Sequence, residues 1–256
     1  MMRFILLFIS IFLFLHASLY AQSEPDQYLK VTYYHFQDDG ITVANQLLDE
    51  MKNSQMGRVE SGEIDAWRFY RVLFSSNATH RYNFVIVEIA DELNSLQSEN
   101  TYDESTLSGF AINRLLFSYK VHAEIWGTRG KVSSGQYTEP SLYKNVNFMS
   151  VQGDRFDDYF SLELDIAGPA SRHMADTGLM DAWNFHRLIF PTGSAVAYNF
   201  ITADFYSSLD QIENGIDANI MSVVHPDLNM SEFEDYADTI RERVWSDLWL
   251  LIESTD

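Results

Sequence analysis

The stretch DAWRFYRVLFSSNATHRYNF, from Asp65 to Phe84, returns without a gap as DAWNFHRLIFPTGSAVAYNF, from Asp181 to Phe200. Nine of the twenty aligned positions are identical, at a constant offset of 116. Duplication on this scale constrains folding strongly, because whatever structure the first copy adopts the second is built to adopt as well. The match extends outward: VTYYHFQ (Val31–Gln37) faces VNFMSVQ (Val146–Gln152), ELNSLQS (Glu92–Ser98) faces SLDQIEN (Ser208–Asn214), and VHAEIW (Val121–Trp126) echoes VWSDLW (Val244–Trp249). Each copy is roughly 100 residues long, which suits a small domain rather than a solenoid unit.

Periodicity orders the signals within a copy. YLKVTYYHF is aromatic and β-branched and reads as a first strand. A helix follows, TVANQLLDEMKN in the first copy and FDDYFSLELDIA in the second. AWRFYRVLF and YNFVIVEI then alternate as strands across a short polar loop and form a hairpin. A second helical region comes next, with Ser231 and Glu234 spaced as a capping box ahead of FEDYADTIRERV. EIW or DLWLLI supplies the fourth strand, and its repeat partner Trp126 argues that Trp245, Leu248, Trp249 and Leu250 belong to a core strand rather than a membrane-seeking stretch. The order βαββαβ is the ferredoxin-like split unit. Such a sheet carries helices on one face and leaves the other bare, so two copies in one chain are expected to close sheet on sheet. The segment Gly127–Pro140, GTRGKVSSGQYTEP, reads as the connection, with the linker proper at 131–140 between a first repeat at 22–130 and a second at 141–256.

On these residues, D-A-W-x-F-x-R and Y-N-F above all, the chain resembles the dimeric α+β barrel superfamily in its tandem form, and in particular uncharacterised exported bacterial proteins of that kind. The resemblance covers essentially the whole chain after residue 21. It implies an α+β fold in which two ferredoxin-like βαββαβ repeats form an intrachain pseudo-dimeric α+β barrel. In that superfamily the space between the sheets holds a small substrate or haem in some members and is packed in others, so the resemblance specifies fold rather than chemistry.

The first 21 residues carry Arg3, an unbroken apolar run from Phe4 to Leu15, and small residues at Ala17, Ser18 and Ala21. They read as a secretory signal peptide cut after Ala21, which implies a periplasmic or secreted protein with no membrane association after cleavage. There is no cysteine, so neither a disulfide nor a thiol mechanism is available. With 37 acidic against 17 basic residues the net charge is -20, which opposes binding to nucleic acid or anionic lipid. Edge strands left by two sheets would permit a homodimer.

Strand alternation nominates the site. Asn83, Val85, Val87 and Ile89, with Asn199, Ile201, Ala203 and Phe205, are mostly apolar and are expected under the helices. Tyr82, Phe84, Ile86 and Glu88, with Tyr198, Phe200, Thr202 and Asp204, form the mixed face expected between the sheets. Trp67, Phe69 and Arg71 share one face of the second strand, repeated as Trp183, Phe185 and Arg187, and the sequence leaves open which face that is. Each arginine then pairs with the acid of its own half, Glu88 or Asp204, or holds an anionic ligand while Trp and Tyr stack on its apolar body, or is simply exposed at the surface. His186 stands where the first copy has Tyr70, the one asymmetry that points toward chemistry in a single half. The candidate ligand-binding set is therefore Trp67, Arg71, Tyr82, Glu88, Trp183, His186, Arg187, Tyr198 and Asp204. No metal-ligand spacing, phosphate loop or nucleophile elbow occurs, so no metal or cofactor is expected. His35 and His186 are expected in strands, His80 in a loop and His173 in an interhelical segment; only His173 or His186 would offer haem an axial ligand. Two functions fit: a noncatalytic exported barrel that binds a small organic or anionic molecule or a protein, or a cofactor-independent enzyme of monooxygenase or isomerase type with its site between the sheets.

Overall fold

Long β-branched and aromatic runs make eight strands. In the first half these are β1 (Tyr28–Phe36), β2 (Ala66–Ser75), β3 (Phe84–Ala90) and β4 (Ser118–Ser133). In the second half they are β5 (Tyr143–Val151), β6 (Ala182–Phe190), β7 (Phe200–Tyr206) and β8 (Arg241–Ser254). This computed structural model describes residues 24–36, 52–79, 82–97, 118–135, 140–213 and 218–255. The expected signal segment, His80 and most of the helix expected at Thr42–Asn53 lie outside the described residues.

All eight strands close into one antiparallel barrel in the order β1-β3-β2-β8-β5-β7-β6-β4. Both expected hairpins are present, β2 with β3 and β6 with β7. The last strand of each half crosses to the other: β4 pairs with β1 and β6, and β8 with β5 and β2. Closure leaves none of these strands with an open edge, so the edge-strand route to a homodimer does not apply to them.

Helices cover the outside. In the first half α1 spans 52–60, and a 3₁₀ turn follows β3 at Leu93–Leu96. In the second half α2 (Phe156–Ser161) runs through a π-helical segment (Leu162–Ala167) into α3 (Gly168–Asp176). Three more helices lie between β7 and β8: α4 (Leu209–Ile212), α5 (Ala218–Val224) and α6 (Met230–Ile240). The capping box expected at Ser231 is not formed: α6 starts two residues earlier than that cap implies, with Asn229 as its N-cap. The connection is also shorter than its glycines suggest, since β4 continues through Ser133 and pairs with β6. Those glycines serve close packing. A Cβ on Gly127 would meet Pro25 at 2.7 Å, and one on Gly130 would meet Leu164 at 2.7 Å and Trp183 at 3.3 Å.

Three clusters fill the molecule. One is drawn from all eight strands or their immediate entries and contains no helical residue: Val31, Tyr33, Tyr70, Tyr82, Val85, Val87, Trp126, Val146, Phe148, Leu188, Tyr198, Ile201 and Trp249 are among its members. This is the barrel interior. The other two join strand faces to the outer layer, around Trp67, Phe69, Phe84 and Ile86 in the first half and Tyr159, Phe160, Trp183, Phe185 and Phe200 in the second. The faces of β3 and β7 are thus the reverse of the expectation. Val85, Val87 and Ile201 point into the barrel, while Phe84, Ile86 and Phe200 lie on the helical side. Alternation separates two faces but does not say which is inside when both are buried.

Candidate functional site

The repeated motif is chiefly a structural joint. Gly62 and Gly178 have φ of 72° and 77°, the left-handed turn that leads into each D-A-W. Asp181 then fixes the entry of β6 by accepting from Ser141 Oγ (2.9 Å) and Ser207 Oγ (2.6 Å). The Asn of Y-N-F clamps the end of its own half's first strand. Asn83 accepts from Phe36 N at 2.9 Å and donates to Phe36 O at 3.0 Å; Asn199 does the same to Val151 at 3.0 and 2.7 Å.

The Tyr of the same motif joins the halves. Tyr82 donates to Asp247 of the second half at 2.5 Å, and Tyr198 donates to Glu124 of the first. Glu124 and Asp247 occupy equivalent positions on β4 and β8, and each also lies near the indole two residues on, Trp126 Nε1 at 3.0 Å and Trp249 Nε1 at 3.4 Å. Burial pushes the Tyr82 and Tyr198 hydroxyls far above the ordinary tyrosine range, with the partner carboxylate adding to the effect, so both remain donors. Glu124 receives a further bond from Tyr33 at 2.9 Å. The equivalent of Tyr33 is Phe148, which has no hydroxyl, and Asp247 Oδ1 is buried with no hydrogen-bond partner.

His186 also faces the barrel interior, 1 % exposed, with Nδ1 3.0 Å from Thr128 Oγ1. Burial holds its pKa well below the usual value, with Lys144 and Lys131 adding to the effect. Tyr82, Tyr198 and His186 therefore belong to a packed interior, on the opposite side of the sheet from Trp67, Glu88, Trp183 and Asp204.

The expected pairing of each arginine with the acid of its own half is not found. Glu88 is buried against Arg58 of α1 and Lys30 of β1, the latter at 3.3 Å. Arg187 lies 4.9 Å from the centre of the Phe156 ring, and Arg71 is half-buried on its strand. Arg187 instead helps line a small cleft of about 240 Å³ with Phe156, Pro191 and Tyr198.

A second opening, a pocket of about 420 Å³, lies beneath the helices of the second half. Its floor is the outer face of the sheet: Asn145, Asn147 and Met149 on β5, Trp183 on β6, Thr202, Asp204 and Tyr206 on β7, and Arg241 and Arg243 on β8. Its roof is Leu162, Glu163 and Ala167 from the π-helical segment, Met174 from α3, Met221 from α5, and Met230 and Phe233 from α6. Five of the chain's nine methionines line it, Met180 being the fifth. Thioether side chains are flexible and polarizable, so such walls adapt to an apolar guest.

Two acids stand in this apolar setting. Asp204 Oδ2 accepts from Asn145 Nδ2 at 3.0 Å and Asn147 Nδ2 at 3.2 Å. Burial pushes Asp204 up to about 6, against the opposing pull of those amides and of Arg243. Glu163 is 3 % exposed, with Arg241 Nε 4.0 Å from its Oε1. Burial pushes Glu163 up to about 7, Arg241 opposes the shift, and the charge of Asp204 adds to it. Asp204 and Trp183 thus come together from the expected set. Glu163, Arg241, the two asparagines and the methionines were missed because they lie outside the repeated motif. One signal was present: aligning the first strands places Asn145 opposite Lys30, so the lysine that neutralises Glu88 is an amide beside Asp204.

Among the described residues no histidine lines this pocket. His173 lies inside α3 rather than between helices, one residue from the lining Met174, and His186 is across the sheet. These residues do not fit a histidine-ligated haem. No group of three or more metal-ligating side chains occurs among the described residues.

No family model matches the chain, and no curated protein matches its sequence. Solved structures do. A candidate monooxygenase from Fusobacterium nucleatum superposes with a TM-score of 0.55 at 9% identity, over 91% of this chain and 95% of that one. An anthrone oxidase-like protein gives 0.52 at 12%, over 92% and 94%. A variant of the chlorite dismutase from Candidatus Nitrospira defluvii gives 0.51 at 11%, over 90% and 93%. At these identities the likeness establishes the fold: an α+β chain closed into an eight-stranded barrel of the dimeric α+β type.

Proposed function

We propose that this protein binds a small organic molecule beneath the helices of its second half rather than between the two sheets. The observation that carries this reading is the pocket itself, an opening of about 420 Å³ with adaptable methionine walls and a few convergent polar groups. The interior between the sheets is instead filled by aromatic side chains and three tyrosine–carboxylate bonds. Of the residues first nominated, Trp183 and Asp204 belong to this site in the proposal, and Arg187 to the neighbouring cleft. The matching strand orders, β4-β1-β3-β2 and β8-β5-β7-β6, support the finer proposal that the halves are two ferredoxin-like repeats forming an intrachain pseudo-dimer. Arg3, the apolar run Phe4–Leu15 and the small residues before Gln22 support export to the periplasm or beyond.

A second reading, a cofactor-independent enzyme, is favoured by one observation: two carboxyls, Glu163 and Asp204, line the same pocket, and burial pushes both upward toward the range where acid–base groups operate. The oxygenase descriptions of the structural neighbours are compatible with that class. Native mass spectrometry of protein purified gently from its own host tests the binding reading. The expected result is a retained small molecule that Ala167→Phe, which fills the pocket, abolishes while the fold is kept. Retention unaffected by Ala167→Phe would place the ligand elsewhere.

A further inference from the structure

The two halves treat one acid position in opposite ways, and this difference identifies a working group. Glu88 and Asp204 are repeat equivalents, 116 residues apart on β3 and β7. In the first half the acid is neutralised by the guanidinium of Arg58 and the ammonium of Lys30. In the second half Asn145 replaces Lys30, and both amides that reach Asp204, from Asn145 and Asn147, fall on Oδ2. That arrangement orients the carboxyl through neutral amides on Oδ2, and Asp204 lines the pocket. Asn147 is itself held, accepting from Ser246 Oγ at 2.7 Å and donating to Thr202 Oγ1 at 3.3 Å. On the facing wall Glu163 projects from a π-helical segment, an irregularity common at functional sites. That segment's carbonyl at Ile166 lies 3.0 Å from His225 Nε2.

We propose that Asp204 is a proton acceptor and that the pocket takes a neutral, largely apolar carbonyl compound with an acidic C–H, interconverting its keto and enol forms or moving a double bond. The proposal rests on the pocket being the ligand site. The C–H bond next to the carbonyl breaks, its electron pair moves into the enolate, and the proton passes to Asp204 Oδ1. Returning that proton to oxygen or to a different carbon releases enol or isomer and restores the carboxylate, so no oxidant or reductant enters. Arg241 faces the same space and supplies positive charge toward the enolate oxygen. The charged or titratable groups around Asp204 are Glu163 on the π-helical segment, Glu234 on α6, Tyr206 on its own strand, and Arg241 and Arg243 on β8. Three acids balanced by two arginines favour a neutral guest over an anion.

The test uses 2-tetralone, a neutral bicyclic ketone with acidic C–H bonds, in deuterated buffer. Binding is read from tryptophan fluorescence, with Ala167→Phe as the blocked control, and deuterium incorporation by proton NMR. Protein-dependent exchange is expected to rise as pH passes through about 6 and to fall at least tenfold in Asp204→Asn. Asn145→Lys, which restores the first half's charge pairing, is expected to move the inflection to lower pH, a shift that a merely structural Asp204 would not produce. If Asp204→Asn does not fold, the wild-type and Asn145→Lys profiles still decide. Binding with no exchange above buffer, or an inflection that Asn145→Lys leaves in place, overturns the proposal and leaves the binding reading standing. Absence of pocket binding overturns both.

Discussion

Lys144 is a buried cation inside the barrel. It is 3 % exposed, and its ammonium lies 5.2 Å from the Phe205 and Trp249 ring centres and 5.7 Å from that of Tyr70. Aromatic faces compensate a buried cation only partly, and burial, reinforced by Arg68, pushes Lys144 down to about 7. Because the unfolded chain holds that proton up to about 10.4, the cost of Lys144 is fully present below about 7 and is lifted as pH rises toward 10. Lys144→Met is therefore expected to raise stability on the order of 1–4 kcal/mol at pH 6, with the gain shrinking by pH 10. Urea denaturation at the two pH values checks this, and an equal gain at both would contradict it. The sequence carried the clue in its own duplication, since β1 has Leu29 where β5 has Lys144. What it did not carry was the surroundings, which come from β2, β7 and β8 and exist only after closure.

At the scale of elements, strand existence and hairpin pairing were legible, because β-branched and aromatic runs and short polar loops are local properties. Facing was not legible: β3 and β7 are buried on both sides, so their period of two is silent about inside and outside. The glycines at Gly127 and Gly130 misled for a related reason, since close approach of Pro25, Leu164 and Trp183 reads in sequence like linker flexibility. The repeated Asn could have been interpreted from its position alone only if its partner strand were known. Its clamp on β5 gives a direct prediction. Asn199→Ala removes both side-chain bonds to Val151 at a buried strand end and is expected to cost about 2–3 kcal/mol. Hydrogen exchange at the Val151 amide would accelerate with it, whereas unchanged exchange and stability would mean that the strand end is held by other contacts.

For the whole molecule, duplication explains closure better than it explains chemistry. Each half supplies a tyrosine to the other half's carboxylate and a fourth strand to the other half's second strand, so neither completes the barrel alone. The site arises where the copies differ, at Asn145 against Lys30 and in the methionines gathered under α3, α5 and α6. In the proposed reading the ligand lies on the helical side of one sheet, although the sequence pointed to the space between sheets. NMR of one sample labelled at methionine methyls and indole nitrogens, titrated with 2-tetralone, tests this most directly. The account predicts shifts at Met149, Met174, Met180, Met221, Met230 and Trp183, with Trp126 and Trp249 of the barrel interior unmoved. Shifts at Trp126 and Trp249 with silent methionines would return the ligand to the space between the sheets and contradict the account.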